Sequence, residues 1–144
     1  MTAQEATTDF TWLLDDFVRK VHGASHALIL SVDGFPLTAS ESVSSDDAEQ
    51  LAAIASGLLS LAGNSAALFG KGNCEQIIIR LTRGYFLFMG IGSEAGLAVL
   101  TEPDCDMKVV AYEMTQFITN AGHALTPEVR AGLRQVLTAR RPQA

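Results

Sequence analysis

The sequence predicts an α+β fold: a five-stranded, mostly antiparallel sheet with helices on both faces, in the order α-β-β-α-β-β-β-α plus a C-terminal helix. The chain has 144 residues, of which 48% are hydrophobic, and this is enough for one domain with its own core. Three β-rich runs at 75–81, 85–91 and 97–101 are separated by short links, which is typical of an antiparallel meander. The other segments carry apolar residues at helical spacing or in a strand-like run.

The first amphipathic segment follows Asp9 and is closed by Gly23. Charged residues occupy the side opposite its apolar stripe, as expected for a helix on a core. The stripe consists of Phe10, Leu13, Leu14, Phe17 and Val21. We expect residues 1–8, before this helix, to form a flexible N-terminus.

A strand and its return strand are predicted next. Residues 27–32 are apolar at both alternating positions, as in a strand covered on both sides. Asp33 and Gly34 favour the positive φ angles of a tight hairpin turn. The return strand starts at Phe35, and Pro36 has no N–H to donate to a neighbouring strand, which predicts an edge strand.

A long second helix is predicted from Ser44 or Ser45 to about Phe69, followed by the glycine-containing segment 70–73. A serine hydroxyl is a favoured helix cap, and negative charge in the first turn complements the helix dipole. The acidic residues of that turn are Asp46, Asp47 and Glu49.

Two further helices are predicted after the meander. Pro103 and Asp104 are expected to open the first, and Gly122 to end it. Its single stripe contains Met107, Val110, Met114, Phe117 and Ala121. The sequence Thr126-Pro127-Glu128 combines a capping hydroxyl, a proline suited to the first helical position and a favourable carboxylate. It predicts a short final helix whose apolar residues are Val129, Leu133, Val136 and Leu137.

The charge distribution divides the chain into a main domain, 9–121, and a basic C-terminal helix and tail, 122–144. The net charge is −6, with six basic and fifteen acidic residues in 1–120. The C-terminal segment carries Arg130, Arg134, Arg140 and Arg141 against Glu128 alone. Nucleic acid is excluded as an expected partner, because binding it requires a basic face.

Residues 50–70 contain no charged side chain and are long enough to cross a bilayer. Serines, Asn64 and three glycines lower their hydrophobicity, and a capped helix start precedes them. We therefore expect a helix buried on more than one side and no direct membrane insertion. The N-terminus lacks the basic and apolar regions of a secretory signal. The expected location is the cytoplasm, with recruitment to a membrane complex by partners.

Motifs for chemistry are weak. Gly70-Lys71-Gly72 lacks the spacing of a phosphate-binding loop and follows a helix instead of preceding one, so Lys71 is interpreted as a helix-end cation. The pattern GxSxG is absent, and neither Cys74 nor Cys105 belongs to a metal-ligand pattern with the histidines. We expect no catalytic residue, no cofactor and no metal, and hence no enzyme.

Arg83 lies at a predicted hairpin tip, where an arginine could reach a partner and stabilise charge in phosphoryl transfer. An ordinary solvated turn residue is the favoured interpretation.

The second helix is apolar around more of its circumference than one sheet face requires. Leu51, Leu58 and either Ile54 or Ala55 form one stripe, and small residues extend the apolar surface. We expect a second helix against it, from another subunit in preference to the same chain. The strand 75–81, if it is an edge, offers an open ladder to a symmetry copy. The predicted dimer or partner interface comprises Leu51, Ala52, Ala55, Leu58, Leu59, Ala62, Ala66, Ile78 and Arg80.

The element order and three segments resemble the Roadblock family, which includes dynein light chains and bacterial regulators of small GTPases. The segments are the strand-turn-strand 26–37, the Leu/Ala/Gly/Ser-rich helix 45–69 and the meander 76–100. They place a Roadblock-like domain at 9–121. The chain looks most like actinobacterial Roadblock proteins that are encoded with a sensor-kinase-like protein and a Ras-like GTPase.

The resemblance implies a homodimer in which the long helices lie side by side and the third strands join two sheets. The helix pair would then bind a Ras-like small GTPase. In bacterial gliding-polarity relatives the Roadblock dimer stimulates GTP hydrolysis by reshaping the GTPase, without an inserted arginine. A sensor-kinase-like protein is a further expected partner.

Two functions from different classes are compatible with the sequence. The leading hypothesis is a non-catalytic homodimeric regulator or scaffold for a Ras-like GTPase, which activates it, promotes exchange or tethers it. The alternative is a small-ligand sensory domain of a signalling complex, since a curved sheet flanked by helices can enclose a pocket.

Overall fold

The computed structural model describes the backbone of residues 3–139 and the side chains of residues 9–135. The predicted element order is confirmed. The helices are α1 (Ala3–Lys20), α2 (Ser45–Leu68), α3 (Met107–Ala121) and α4 (Pro127–Ala139), with a 3₁₀ turn at Gly122–Ala124. The strands are β1 (Ala24–Ser31), β2 (Pro36–Ala39), β3 (Gln76–Leu81), β4 (Gly84–Ile91) and β5 (Ala95–Thr101).

The five strands form one sheet in the order β2-β1-β5-β4-β3, and every neighbouring pair is antiparallel. The predicted meander β3-β4-β5 is therefore confirmed. Both expected edge strands, β2 with Pro36 and β3, lie at the two edges. The short links between strands make antiparallel pairing the natural outcome.

One face of the sheet, which we call the three-helix face, is covered by α1, α3 and α4. Alternate residues of β1, β4 and β5 point to it, among them Ile29, Leu87 and Val99, which are fully buried. Leu14 of α1 and Met114 of α3 are also fully buried there. The burial of these large side chains accounts for most of the core.

The opposite face, which we call the α2 face, is covered by one helix. Leu28, Leu30, Phe88 and Ala98 of the sheet point to it and pack with α2. Helices thus occupy both faces, as predicted, but with three on one and one on the other.

Three local expectations differ in detail. The first helix begins at Ala3, so residues 3–8, expected to be flexible, continue α1. The third helix begins at Met107, because the Asp106 carboxylate accepts hydrogen bonds from the N–H groups of Lys108 and Val109. In the β1–β2 hairpin only Gly34 has a positive φ, +98°, whereas the sequence predicted one for Asp33 as well.

The final helix is part of the core. It packs against α1 and β2, and its Leu133 is fully buried, as is nearly all of Leu125 before it. Thr126 caps it through its hydroxyl, which accepts from Val129 N–H. Arg134 stacks on Phe35, with its guanidinium carbon 3.6 Å from the ring centroid. Val136, Leu137, Arg140 and Arg141 lie outside the residues whose side chains are described.

Candidate functional site

The sheet-facing side of α2 is built from small residues. Ala48, Ala52 and Ala55 are fully buried against the sheet. An alanine presents only a methyl group, so the helix backbone can approach the strands closely. Ala52 and Ala55 were predicted as interface residues. The structure contradicts this, because both side chains are buried against the protomer's own sheet.

The side of α2 that the sheet leaves uncovered exposes large aliphatic residues. Ile54, Leu61 and Leu68 are 55%, 69% and 77% exposed, and Phe69 at the helix end is 71% exposed. The three aliphatic residues recur every seven positions, so they form a line along the helix. Gly57, also exposed, lies in the same line and has no atom within 4 Å of an added Cβ. We call Ile54, Gly57, Leu61 and Leu68 the outer stripe.

The remaining α2 residues of the predicted interface lie between these two sides. Leu51, Leu58, Leu59, Ala62 and Ala66 are half-buried. Leu51, Leu58 and Leu59 also pack against the core of the α2 face. Their assignment to an interface stays a prediction. Ile54, Leu61 and Leu68 were missing from the predicted set, although their seven-residue spacing is a sequence signal that could have identified them.

The open edge of the sheet is β3, which pairs with β4 on one side. Ile77 and Ile79 are half-buried and pack on the α2 face, while Ile78, 43% exposed, and Arg80 point the other way. The two sets of side chains alternate along the strand, as in a regular β-strand. The outer ladder of β3 is therefore available to another strand.

The two ends of α2 differ in charge. At the N-terminus Ser44 Oγ accepts from Asp47 N–H at 3.1 Å, and Asp46 and Asp47 occupy the first turn. At the C-terminus Gly70 has a φ of +66°, which allows the Lys71 N–H to donate to Ala66 O at 2.8 Å. The predicted cap is confirmed, and Lys71 follows the last turn with its backbone N–H bonded to it.

A groove of about 310 Å³ lies between the N-terminal half of α2 and the strands. One part of its lining is apolar and comprises Val43, Leu51, Ile54 and Leu100. The other part is polar and comprises His26, Ser42, Asp47 and Gln50. The carboxylate of Asp47 is the acidic group of this lining.

A hydrogen-bond chain orients the His26 ring. Ser42 Oγ donates to Ser25 O at 3.1 Å, so it must accept from His26 Nδ1 at 2.8 Å and from Ser40 Oγ at 3.0 Å. Ser40 Oγ in turn accepts from Ala27 N–H at 3.0 Å. Each hydroxyl proton is thereby used once. In this arrangement the proton of the ring hydrogen bond lies on Nδ1.

Two further grooves flank α4, with volumes of about 320 and 400 Å³, and both include Glu94 and Arg130. Arg130 donates to Leu125 O at 3.2 Å, and Arg134 is stacked on Phe35. Arg130 is thus hydrogen-bonded to the fold, and Arg134, although exposed, packs on Phe35.

The other candidate residues are dispersed. Arg83 lies in the β3–β4 turn, as predicted, and is exposed. His22 is exposed, and its Nε2 lies 3.9 Å from Oδ2 of Asp104. His123 lies in the 3₁₀ turn. Cys74 and Cys105 are free. In the part of the chain whose side chains are described, no three His, Cys, Asp or Glu residues are placed to hold a metal ion.

By length and composition alone, α2 is apolar enough to cross a membrane. Its alanines pack against the sheet, however, and acidic residues occupy its first turn. The packing favours a helix of a sheet layer with one apolar side left uncovered.

Comparison with known proteins identifies this architecture. The Roadblock/LC7 domain model matches residues 10–101, more than half of the chain. A Roadblock/LC7 domain structure from Streptomyces avermitilis is 31% identical, with 80% of this chain and 96% of that chain covered and a TM-score of 0.75. A second one from Streptomyces avermitilis is 36% identical, with 77% and 96% covered and a TM-score of 0.65.

A more distant structure, Myxococcus xanthus MglB, shares the fold at 13% identity, with 96% of this chain and 94% of that chain covered and a TM-score of 0.70. No curated protein sequence matches the chain. The family model, the two Streptomyces structures and the strand order β2-β1-β5-β4-β3 lead to one conclusion: the chain belongs to the Roadblock/LC7 family.

Proposed function

We propose that the protein is a non-catalytic homodimeric regulator or scaffold that binds a Ras-like small GTPase and modulates its GTPase cycle. The observation that carries the proposal is the outer stripe of α2, a line of exposed aliphatic residues beside an open sheet edge. In this proposal the protein acts in the cytoplasm, and its partners recruit it to a membrane complex.

The outer stripe supports self-association. Fully burying an aliphatic side chain stabilises by about 1.5–3 kcal/mol, and three such side chains lie in line on α2. A seven-residue spacing keeps a row of side chains facing one partner helix. Gly57 in this row would let the second helix approach closely.

The sheet edges support the same assembly. β3 has an outer ladder that can pair with a symmetry copy. At the other edge, β2 contains Pro36, which has no N–H to donate. A symmetric β3 pairing therefore extends the sheet once and stops there.

The proposed partner follows from family membership. The resemblance to bacterial Roadblock regulators implies that a pair of α2 helices forms a platform for a Ras-like GTPase. Arg83 is exposed in the turn after β3. The same resemblance favours regulation by reshaping the GTPase over an inserted arginine.

The test measures GTP turnover and nucleotide release of the Ras-like GTPase encoded nearest to this chain, with and without the protein. Faster turnover identifies an activator, faster release an exchange factor, and binding without either a tether. Leu61→Asp is the control, because a monomeric variant should lose the effect. No binding and no rate change would overturn the proposal.

The C-terminal arginines are proposed to contact an acidic surface of the GTPase or of a sensor-kinase-like protein. Deleting residues 123–144 would remove the buried Leu125 and Leu133, so that deletion would also destabilise the core. Removing only 140–144 takes away Arg140 and Arg141 and leaves α4 in place. Unchanged partner binding by the shortened chain would contradict the contact.

The groove beside α2 supports the alternative function, a small-ligand sensory domain. A ligand bound there at free concentration L would stabilise the fold by RT ln(1 + L/Kd), so the melting temperature would rise with the logarithm of the ligand concentration. A thermal-shift screen of small metabolites separates the two functions, since the GTPase regulator needs no such ligand.

A further inference from the structure

The groove beside the N-terminal half of α2 suits a long side chain with an apolar stem and a cationic head. Asp47 supplies negative charge, and none of the eight lining residues is lysine or arginine. Leu51, Ile54 and Leu100 provide apolar wall along which methylene groups can pack. Further polar side chains of the lining are Gln50 and His26.

Lys71 is such a side chain, at the opposite end of the same helix. It is the one basic residue between positions 45 and 73. It is exposed, and its N–H is tied to Ala66 O. With 24 residues, α2 is roughly 36 Å long at 1.5 Å per residue, so Lys71 cannot reach the groove of its own chain.

A symmetric dimer brings these two ends together. If β3 pairs with its copy and both α2 helices lie on the same side of the joined sheet, the two-fold axis must be normal to that sheet. Such an axis reverses every direction within the sheet plane. The two α2 helices are then antiparallel, with the N-terminus of one beside the C-terminus of the other.

The flank of α2 that carries Leu51 and Ile54 borders Leu100 of β5, on the side of the helix toward the open β3 edge. The outer stripe runs along this flank, so it faces the partner helix and defines the register of the pair. Its aliphatic residues are symmetric about Leu61, so an antiparallel pair centred there covers all of them. Ile54 then faces the partner's Leu68, and Gly57 faces the partner's Ser65, which pairs two small residues. The same register places the partner's Lys71 beside Leu51, which lines the groove.

We propose that the groove lined by Asp47, Gln50, Leu51 and Ile54 receives Lys71 of a second copy of this chain. The ammonium group pairs with the Asp47 carboxylate, and the two-fold axis repeats the contact in the other groove. This inference rests on the proposed homodimer and specifies its register and an inter-subunit ion pair.

Charge exchange tests the contact by sedimentation equilibrium. Asp47→Lys and Lys71→Asp should each raise the dimer dissociation constant about tenfold, because each brings like charges together at the interface. The double variant should return to within about threefold of wild type. Asp46→Lys is the matched control. It makes the same charge reversal in the same helix turn, but Asp46 does not line the groove.

Equal weakening by Asp46→Lys and Asp47→Lys would overturn the inference, as would a double variant weaker than both single ones. Asp46, Asp47 and Lys71 are all exposed, so none of these substitutions disturbs the core.

A cysteine pair tests the register independently. In a Cys74→Ser, Cys105→Ser background, Gln50→Cys combined with Lys71→Cys should form a covalent dimer on mild oxidation. Each single-cysteine variant should stay uncrosslinked, since the antiparallel pair separates identical positions near the helix ends. Crosslinking of Gln50→Cys alone would show parallel helices and overturn the inference.

Failure of this inference is distinguishable from failure of the proposed function. If Leu61→Asp dissociates the dimer but charge exchange leaves it intact, the homodimer is retained and the Lys71 contact is rejected. If the wild-type chain is monomeric at 100 μM, which corresponds to a binding free energy weaker than about −5.5 kcal/mol, both the homodimer and the Lys71 contact are rejected.

Discussion

The two faces of the sheet are made from similar apolar residues but use them differently. The three-helix face packs large side chains such as Leu14 and Met114 until they are fully buried. The α2 face places alanines against the sheet and leaves Leu61 and Leu68 of the same helix exposed. One face completes its burial within the chain, and the other presents aliphatic surface outward. A single apolar composition thus serves folding on one face and, in our proposal, association on the other.

The largest expected effect is on the three-helix face. Leu14→Ala should lower the free energy of unfolding by about 3 kcal/mol, because a fully buried leucine leaves a cavity. Urea unfolding followed by circular dichroism measures it. The loss of stability should be independent of protein concentration.

Leu61→Ala provides the matched substitution on the α2 face. The stability lost in this variant should grow with protein concentration, since dimerisation stabilises by mass action. The same concentration dependence for both variants would remove the distinction between the faces.

The next effect concerns association. Leu61→Asp should raise the dimer dissociation constant at least about 100-fold, since an unpaired carboxylate would be buried at the centre of the interface. Light scattering after size exclusion detects the monomer. Unchanged unfolding of the monomer, expected from the 69% exposure of Leu61, separates lost association from misfolding. A stable Leu61→Asp dimer would show that the outer stripe is not the interface.

Two glycines of α2 sharpen the comparison between the helix's own sides. Gly57→Ala and Gly63→Ala should each stabilise the monomeric helix by about 1 kcal/mol, because both positions have open space around an added Cβ. Gly57 lies in the outer stripe, whereas Gly63 lies about 120° around the helix toward the sheet side. Only Gly57→Ala should weaken the dimer, as measured by sedimentation. Equal dimer strength in both variants would argue against close helix approach at Gly57.

The smallest effect is electrostatic and lies on the three-helix face. Hydrogen bonds from Arg19 at 2.9 Å and then from Lys20 at 3.1 Å lower the pKa of Asp16 below its usual value. The ionised carboxylate therefore stabilises the fold at neutral pH, and this contribution is lost as the pH falls through the lowered native pKa. Asp16→Asn should slightly lower the melting temperature near pH 7 and leave it unchanged at a pH below that pKa. A difference that persists in acid would assign it to packing.

Much of the fold could be predicted because it depends on local signals. The cap at Ser44, the edge position of Pro36 and the start at Thr126-Pro127 each follow from the hydrogen-bonding capacity of the residues themselves. The start of α3 was predicted at Pro103 and Asp104, whereas the structure uses Asp106 as the cap. Both aspartates are acceptable caps by residue type, so local sequence could not choose between them. Helix α1 extends to Ala3 although the apolar stripe begins only at Phe10.

The candidate site was predicted in kind but not in detail. The excess of apolar residues on α2 correctly indicated a helix with more than one apolar side. Small residues were assigned to a second helix, whereas the structure places Ala52 and Ala55 against the sheet. A methyl group is compatible with either neighbour, so composition could not choose between them. The seven-residue spacing of Ile54, Leu61 and Leu68 was the sequence signal that marked the exposed apolar side.

The sequence by itself determined the elements, their order and the antiparallel meander, because caps, turns and hydrophobic periodicity act over a few residues. It also determined that α2 carries acidic residues at one end and Lys71 at the other. Only the tertiary structure decided which side of α2 the sheet covers, that α4 joins the core through Leu133, and that a groove forms beside Asp47. Those outcomes depend on the shape of neighbouring layers, which residues far apart in the chain form together.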